Sequence, residues 1–399
     1  MKFNRISEEA LQALRMKIRK VTQEELEPLG NEMDKTNVYP KAMWEIGKRN
    51  DLFRMTMPEE YGGMGLGKEQ WFTILEEIAR GNNAIRMFFH IANGMGWEIL
   101  YDHGPKELKD EWLPQLAKGE KFIAFALTEE GCGTGADIRS TAVRKGDKWV
   151  LNGKKTLISF TDVCDAINIV CITDDSKRKT GGAHTTFMVP VNTPGLRMEN
   201  MPHMMGCRGV GHAYVYMENL EIDDKYRMGP VGEGLSVAVN SLAISRGSMA
   251  VCMLGICQRL LEMCIKRAND RVTFGKPLAQ RQAIQGMIAN MATEIHALRL
   301  MCRDVGQKFD KGVDQVNIDE ITSMAKLFAT GVSQRCTDTA LEIFGGIGYF
   351  EDNPYGPLER LYRDCRALWL EEGPPTIQRL TTFRSITAKN GDTRTSNYA

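Results

Sequence analysis

The sequence predicts a multidomain α+β chain, on three observations. Residues 7 to 118 carry Leu and Ile at three- and four-residue spacing, Glu-Glu pairs and few β-branched runs, which is the pattern of amphipathic helices. From about 121 to 225 short strand-like runs replace that period. From about 232 to 385 long apolar stripes at helical spacing return. The chain is therefore divided into an N-terminal helical domain (1–120), a middle antiparallel β-barrel or sandwich (121–230) and a C-terminal four-helix bundle with a polar tail (231–399).

In the first domain, Pro58-Glu-Glu-Tyr-Gly-Gly-Met-Gly65 breaks the helical pattern and reads as a loop. In the second, Lys148-Trp-Val-Leu151 followed by Asn152-Gly153 reads as a strand and its turn. Ala166 to Ile172, Thr185 to Val189 and Ala213 to Met217 are further strands, and with no helices between them an antiparallel arrangement is expected. In the third, Leu254, Cys257, Leu261 and Cys264 share one stripe; Ile284, Met287, Met291, Ile295 and Leu298 share another. Ile321, Met324, Phe328 and Val332 form a third, so three long helices and a shorter fourth are expected. Lys389 to Ala399 is polar and reads as a frayed end.

A chain of 399 residues with 51 basic and 51 acidic side chains has a large core and no charge bias toward nucleic acid or an anionic membrane. The charged N-terminus has no apolar signal core, and no apolar run reads as a membrane span. The ten cysteines show no CxxC, which reads as reduced thiols in a cytoplasmic protein, and the six histidines show no metal-ligand spacing.

Near the C-terminus stands Leu361-Tyr-Arg-Asp-Cys-Arg-Ala-Leu-Trp-Leu-Glu-Glu-Gly-Pro-Pro-Thr-Ile-Gln-Arg379. It resembles the closing motif of acyl-CoA dehydrogenases, and matching blocks follow in the family's order from about residue 5 to 385. The resemblance implies the acyl-CoA dehydrogenase fold, FAD as cofactor, an acyl-CoA substrate, a homotetramer built as a dimer of dimers, and electron-transferring flavoprotein as acceptor. It places Glu372 as the base that takes the Cα proton, with its own backbone N–H helping to polarise the thioester carbonyl. In some relatives the base sits in a Glu-Arg pair on a helix; the matching pair here is Ser245-Arg246, and serine cannot serve as that base. Glu371 is the neighbouring carboxylate, and Arg246 is expected to position the site or the thioester end.

Phe125-Ala-Leu-Thr-Glu-Glu-Gly-Cys-Gly-Thr134 resembles the family's Gly-rich flavin loop, which implies Phe125, Leu127, Thr128 and Gly133 at the cofactor and Thr134 beside both cofactor and thioester. It departs from the pattern: Glu130 replaces a proline, Gly135 stands where an aspartate is usual, and the loop is one residue short. Asn152 to Ser159 resembles a second block, with Ser159 reaching flavin N5 and Leu157 in place of a tryptophan that shields the flavin near the acceptor. Arg271-Val-Thr-Phe-Gly-Lys-Pro277 with Gln282 resembles the block that reaches FAD across a subunit boundary, implicating Arg271, Phe274 and Gln282. Gly345 and Gly346 match a backbone that packs on FAD, and Gly373 and Thr376 follow the base.

The stretch Glu76 to His90 aligns with the far end of the acyl pocket. Arg86 takes the place of the arginine with which glutaryl-CoA dehydrogenases grip the distal carboxylate, and His90, four residues on, shares its face. The alternative for Arg86 is a structural ion pair to Glu76, Glu77 or another acid. Phe88 and Phe89 could instead shape a pocket for a bulky or aromatic acyl group. Acyl-CoA dehydrogenation, with a dicarboxylyl-CoA such as glutaryl-CoA as the expected substrate, is the function this implies. A short, branched or aromatic acyl-CoA, the reductive direction from enoyl-CoA, a flavin oxidase or lyase suggested by Leu157 and the altered loop, and a catalytically silent flavoprotein are the alternatives.

Overall fold

Seven α-helices open the chain in the computed structural model, which describes residues 3–133 and 135–389. They are α1 (Glu8–Val21), α2 (Glu27–Thr36), α3 (Ala42–Arg49), α4 (Lys68–Ile78), α5 (Asn83–Ala92), α6 (Met95–His103) and α7 (Lys106–Ala117). The Ser7 hydroxyl caps α1 by accepting from the Ala10 amide at 3.2 Å, with Glu8 and Glu9 in its first turn and Arg19 and Lys20 in its last. Asn82 starts α5: its carbonyl oxygen accepts from the Ala84 and Ile85 amides, while its Nδ2 donates to the Gly30 carbonyl at 2.9 Å. A Cβ on Gly30 would stand 2.3 Å from Asn82 Cβ, so the cap also fixes how closely α2 approaches α5.

The middle domain is built from β1 (Ile123–Ala126), β2 (Thr141–Lys145), β3 (Lys148–Ile158), β4 (Ala166–Ile172), β5 (His184–Pro190), β6 (Leu196–Asn200), β7 (Ala213–Asp223) and β8 (Arg227–Met228). The sheet order is β6-β7-β3-β2-β4-β5-β8, with β1 also paired to β4. The all-antiparallel expectation is corrected in one respect. β1 runs parallel to β4, and β2 meets β4 in parallel at Thr141 and Ile172, so the sheet is mixed. A second correction concerns Asn152-Gly153. These residues lie inside β3 and form a bulge, where the register to β7 shifts between Leu151 and Gly153; the hairpin turn sits instead at Gly146-Asp147. Gly153 has a φ of 147°, and a Cβ there would strike Ser140 Oγ at 2.2 Å, so the glycine serves close backbone packing rather than chain reversal.

The C-terminal domain contains α8 (Gly234–Asp270), a hairpin of β9 (Val272–Thr273) and β10 (Lys276–Pro277), then α9 (Gln282–Asp310), α10 (Gln315–Phe344), α11 (Leu358–Leu370) and α12 (Pro375–Lys389). Two short helices thus follow the three long ones, where one was expected. Among the described residues α8 alone is long and apolar enough to cross a membrane, but most of its apolar stretch is buried inside the protein. Gly255 lets it press on α4, since a Cβ would lie 2.4 Å from the Glu76 carbonyl oxygen. Leu254, Cys257, Leu261, Cys264, Met291, Ile295, Leu298, Ile321 and Val332 are buried as the stripes predict, while Ile284, Met287, Met324 and Phe328 are partly buried at the core's edge. All ten cysteines are unpaired, and Cys132 is the one not buried. The polar tail beyond Lys389 lies outside the described residues.

Buried ion pairs fasten the helical domains together. Glu77 on α4 is fully buried; Arg15 Nε and Arg19 Nε, both from α1, donate to it at 2.7 Å. Burial pushes its carboxyl up, but the Arg19 and Arg15 hydrogen bonds outweigh that and hold it below the usual range. Glu77→Gln is expected to destabilise the fold by about 3 kcal/mol, the low end for a broken buried pair because the arginines are partly exposed. A carboxyl depressed in the folded state stabilises above its unfolded value of about 4.3 and loses that contribution as pH falls through the folded value. Urea unfolding should therefore show the full difference between wild type and variant at neutral pH and a shrinking one below about pH 4. A difference independent of pH would contradict this account.

Candidate active site

The turn between α11 and α12 carries the expected base. Glu372 has a φ of 56°, in the left-handed region where a non-glycine side chain is strained, and Gly373 follows at 95°. Two side chains hold this turn. Lys326, fully buried on α10, donates from Nζ to the Glu371 carbonyl and, at 2.7 Å, to the Gly373 carbonyl. Gln378 Nε2 on α12 donates to the Glu372 carbonyl at 3.0 Å and the Gly373 carbonyl at 2.8 Å. All three carbonyls of the turn thus have a side-chain donor. The Glu372 N–H has no protein partner among the described residues, so it is left over for a substrate carbonyl.

The position of α11 is itself fixed by a buried carboxylate. Asp364 accepts from the Cys207 amide at 2.7 Å and the Asn83 amide at 3.4 Å, joining α11 to the 201–212 segment and to the start of α5. Arg360 reaches Glu27 at 2.7 Å and Asn31 at 2.5 Å, joining α11 to α2.

The Glu372 carboxylate meets α8. Its Oε1 accepts from the Ser245 hydroxyl, while its Oε2 is buried and has no hydrogen-bond partner. Burial pushes the carboxyl up to about 7; the Ser245 hydrogen bond and the charges of Lys326 and Arg246 pull the other way. A carboxylate with one oxygen tethered, the other bare and a pKa near neutrality suits a general base.

Most other predicted pocket residues also gather here. His90 Nε2 stands 2.7 Å from Ser245 Oγ. Arg246, beside Ser245, donates to Asp319 at 3.1 Å. Arg86 is fully buried, with Nε donating to Asn83 at 2.8 Å and Nη2 lying 3.7 Å from Glu371 Oε2 without a hydrogen bond. Its ion-pair partner is thus neither Glu76 nor Glu77, which are taken by Arg299 at 2.7 Å and by Arg15 and Arg19. Phe88 and Phe89 do not shape a pocket. Both are fully buried, and Phe88 stacks on Phe122 at 4.5 Å within a cluster that includes Trp44, Phe53 and Phe160. Sequence reasoning treated Ser245 only as an absent base. No local signal pointed to its contacts, since Glu372 and His90 lie 127 and 155 residues away in the chain.

The expected cofactor residues fall in two groups. The Thr156 amide donates to the Thr128 carbonyl at 2.9 Å, bringing Phe125, Leu127 and Thr128 alongside Leu157 and Ser159. Leu157 is 55% exposed, and Ser159 Oγ lies 3.4 Å from His212 Nε2, whose buried Nδ1 has no partner. Buried Lys155 donates to Glu129 at 2.6 Å, and Glu129 accepts from the Arg139 and Ser140 amides, which stiffens the loop. The Gly133 amide donates to Asp137 at 3.0 Å, so a carboxylate two residues beyond the family's position serves the loop. Thr134 lies outside the described residues. The second group is remote in sequence and open: Phe274 at the β9–β10 tip is 96% exposed, Arg271 and Gln282 flank the hairpin in exposed positions, and neither Gly345 nor Gly346 has an atom within 4 Å of a would-be Cβ. Gly373 and Thr376 follow the base, on the same turn and in the first turn of α12. An unpartnered buried imidazole beside Ser159, a stiffened Gly-rich loop and an uncovered glycine pair together fit FAD.

Lys326 is costly where it sits: burial drives its ammonium down to about 8 despite Glu372 and Glu371 nearby. Lys326→Met should accordingly destabilise the fold by only about 1–3 kcal/mol, because removing a costly buried charge offsets part of the loss of a donor to the Glu371 and Gly373 carbonyls. The same change frees the turn, and substrate-driven bleaching of the flavin should slow by about a hundredfold through misplacement of the carboxylate. Urea unfolding and anaerobic stopped-flow absorbance check the two halves. A large loss of stability with unchanged bleaching would reverse the assignment.

Residues 8–120, 124–220 and 232–387 match the acyl-CoA dehydrogenase N-terminal, middle and C-terminal domain families. The chain is 34% identical over 374 residues to the 3-(aryl)acrylate reductase of Clostridium sporogenes, covering 94% of this chain and 97% of that one. It is 31% identical over 351 residues to the CarC subunit of the caffeyl-CoA reductase-Etf complex of Acetobacterium woodii, covering 88% and 90%. A glutaryl-coenzyme A dehydrogenase structure in complex with glutaryl-CoA superposes with a TM-score of 0.88 at 29% identity, covering 97% of each chain. The chain belongs to the acyl-CoA dehydrogenase family, oxidoreductases that act on CH–CH groups with FAD as cofactor.

Proposed function

We propose that the protein interconverts an acyl-CoA thioester and its α,β-enoyl-CoA, with Glu372 as the group that takes or returns the Cα proton. The observation that carries this is the bare, buried Oε2 of a carboxylate whose other oxygen is tethered and whose pKa lies near 7. FAD, when bound, supplies the acceptor or donor of the hydride at Cβ. The Glu372 N–H is the chain's own donor to the thioester carbonyl, and it stabilises the negative charge that grows on that oxygen as the Cα proton leaves. Neither group of Glu372 prefers a direction, so dehydrogenation and enoyl reduction use the same groups.

For the acyl group, a neutral chain such as an arylpropionyl is the reading we favour. Arg86 already faces Glu371 at 3.7 Å, and Glu372 lies next in the chain, so a distal carboxylate would have to displace one acid in the presence of another. The similarity to reductases named for aryl and caffeyl substrates supports the same reading. The glutaryl-CoA reading rests on the unpartnered Arg86 Nη2. We further propose that a second copy covers the exposed Phe274 hairpin in a homotetramer built as a dimer of dimers, bringing Arg271 and Gln282 to the partner's FAD. Electron-transferring flavoprotein is the exchange partner we infer, as with the similar CarC subunit. Unpaired cysteines suit the reducing cytoplasm.

Glu372→Gln should retain FAD and lose substrate-driven bleaching by about a hundredfold to ten-thousandfold, the range for a lost general base. Anaerobic stopped-flow absorbance with butyryl-, phenylpropionyl- and glutaryl-CoA reads this directly, and undiminished bleaching would remove Glu372 from its role. In the same panel phenylpropionyl-CoA should bleach wild type at least about tenfold faster than glutaryl-CoA, a preference of about 1.4 kcal/mol. The reverse preference, abolished selectively by Arg86→Leu, would establish the dicarboxylate anchor instead.

A further inference from the structure

A hydrogen-bonded line leads away from Glu372 through two side chains that the proposed chemistry does not use. Ser245, 2% exposed on α8, donates its hydroxyl proton to Glu372 Oε1, and His90 Nε2 of α5 stands 2.7 Å from the same Oγ. A hydroxyl has one proton. With that proton on the carboxylate, Oγ offers only lone pairs to the imidazole, so Nε2 must carry hydrogen and Nδ1 must be bare. His90 is buried and its Nδ1 has no partner. Burial first, then the charges of Arg86 and Lys68, push the ring well below its usual range, so it is a neutral donor throughout the neutral pH range.

We propose that Ser245 and His90 are positioning residues for Glu372: the His90 Nε2–H fixes the Ser245 hydroxyl, the hydroxyl tethers Oε1, and the rotamer so held leaves Oε2 for the substrate Cα proton. This rests on Glu372 being the base. Among the described residues Ser245 is the sole hydrogen-bond donor to either carboxylate oxygen. The other groups reach the Glu372 carboxylate oxygens through charge alone: Lys326 from α10, Arg246 from α8 with Asp319 behind it, Arg86 from α5, and Glu371 in its own turn. Gln378 binds the turn's carbonyls and leaves the carboxylate untouched. A hydroxyl polarised by an imidazole N–H is a stronger donor to an anion than a free one, so the two residues act as a unit. Removing either raises the carboxyl's affinity for a proton, Ser245 more than His90.

The test is an infrared difference titration of the FAD-loaded enzyme without substrate, with the carboxyl band assigned by its loss in Glu372→Gln. Ser245→Ala should raise the titration midpoint by about one unit, tenfold in the protonation constant. Ser245→Thr, which keeps the hydroxyl, should return it toward wild type. His90→Phe should raise it by about threefold, and should add nothing in the Ser245→Ala background, since the line is already cut. His90→Gln, which keeps a donor, should behave closer to wild type and serves if Ser245→Ala does not fold. A midpoint indifferent to Ser245, or a His90 effect undiminished without Ser245, overturns the proposal. Continued flavin bleaching in Glu372→Gln would instead overturn the base assignment, leaving the titration to judge the tether on its own.

Discussion

The site depends on one buried ammonium gripping a strained turn. Glu372 lies in the left-handed region, which a glutamate adopts only when its surroundings over-determine it. Lys326 supplies that constraint by donating to the carbonyls on either side of Glu372. The lysine is held in turn by α10, whose long contact with α8 and α12 makes it the central element of the C-terminal domain. Strain at the turn, burial of Lys326 and the aim of the carboxylate are therefore consequences of one packing arrangement.

Charge balance explains why such a turn tolerates so many ionisable groups. Arg86, Arg246 and Lys326 face Glu371, Asp319 and Glu372, three cations against three carboxylates. The set is neutral only while Glu372 is ionised. When Glu372 takes a proton the set becomes positive by one charge, and in the proposed reaction negative charge develops on the substrate at the same time. The electrostatics of the pocket thus favour the charge distribution that proton removal creates, without any group having to move. A neutral His90 fits this arrangement, because a fourth cation would deepen the Glu372 carboxylate well and weaken it as a base.

Much of the fold was legible in the sequence because its periods are strong. Buried Leu254, Cys257, Leu261 and Cys264 form one face of α8, and a hydrophobic stripe at helical spacing has few other solutions. Gly153 was misread as a turn residue because a local pattern cannot distinguish a glycine that reverses the chain from one that lets Ser140 pass close to the backbone. The parallel pairing of β1 with β4 was equally invisible, since residues 123 and 166 are joined by register and not by proximity in the chain. The second short helix at the end of the bundle hid behind Gly373-Pro374-Pro375, where a loop and a helix start share the same residues.

Sequence by itself determined the family blocks, the helix–sheet–helix order and Glu372 as the candidate base, because each is written in residue types at short spacing. Tertiary structure alone decided what surrounds that base: Lys326 under the turn, Ser245 on one carboxylate oxygen, His90 behind Ser245, and Glu371 rather than Glu76 or Glu77 opposite Arg86. Lys326, Ser245, His90 and Arg86 lie 46 to 286 residues from Glu372 in the numbering, on three separate helices. Hydrogen bonds and ion pairs act over a few ångströms of space, whereas sequence patterns report only the period of one element, so no local signal could have joined them.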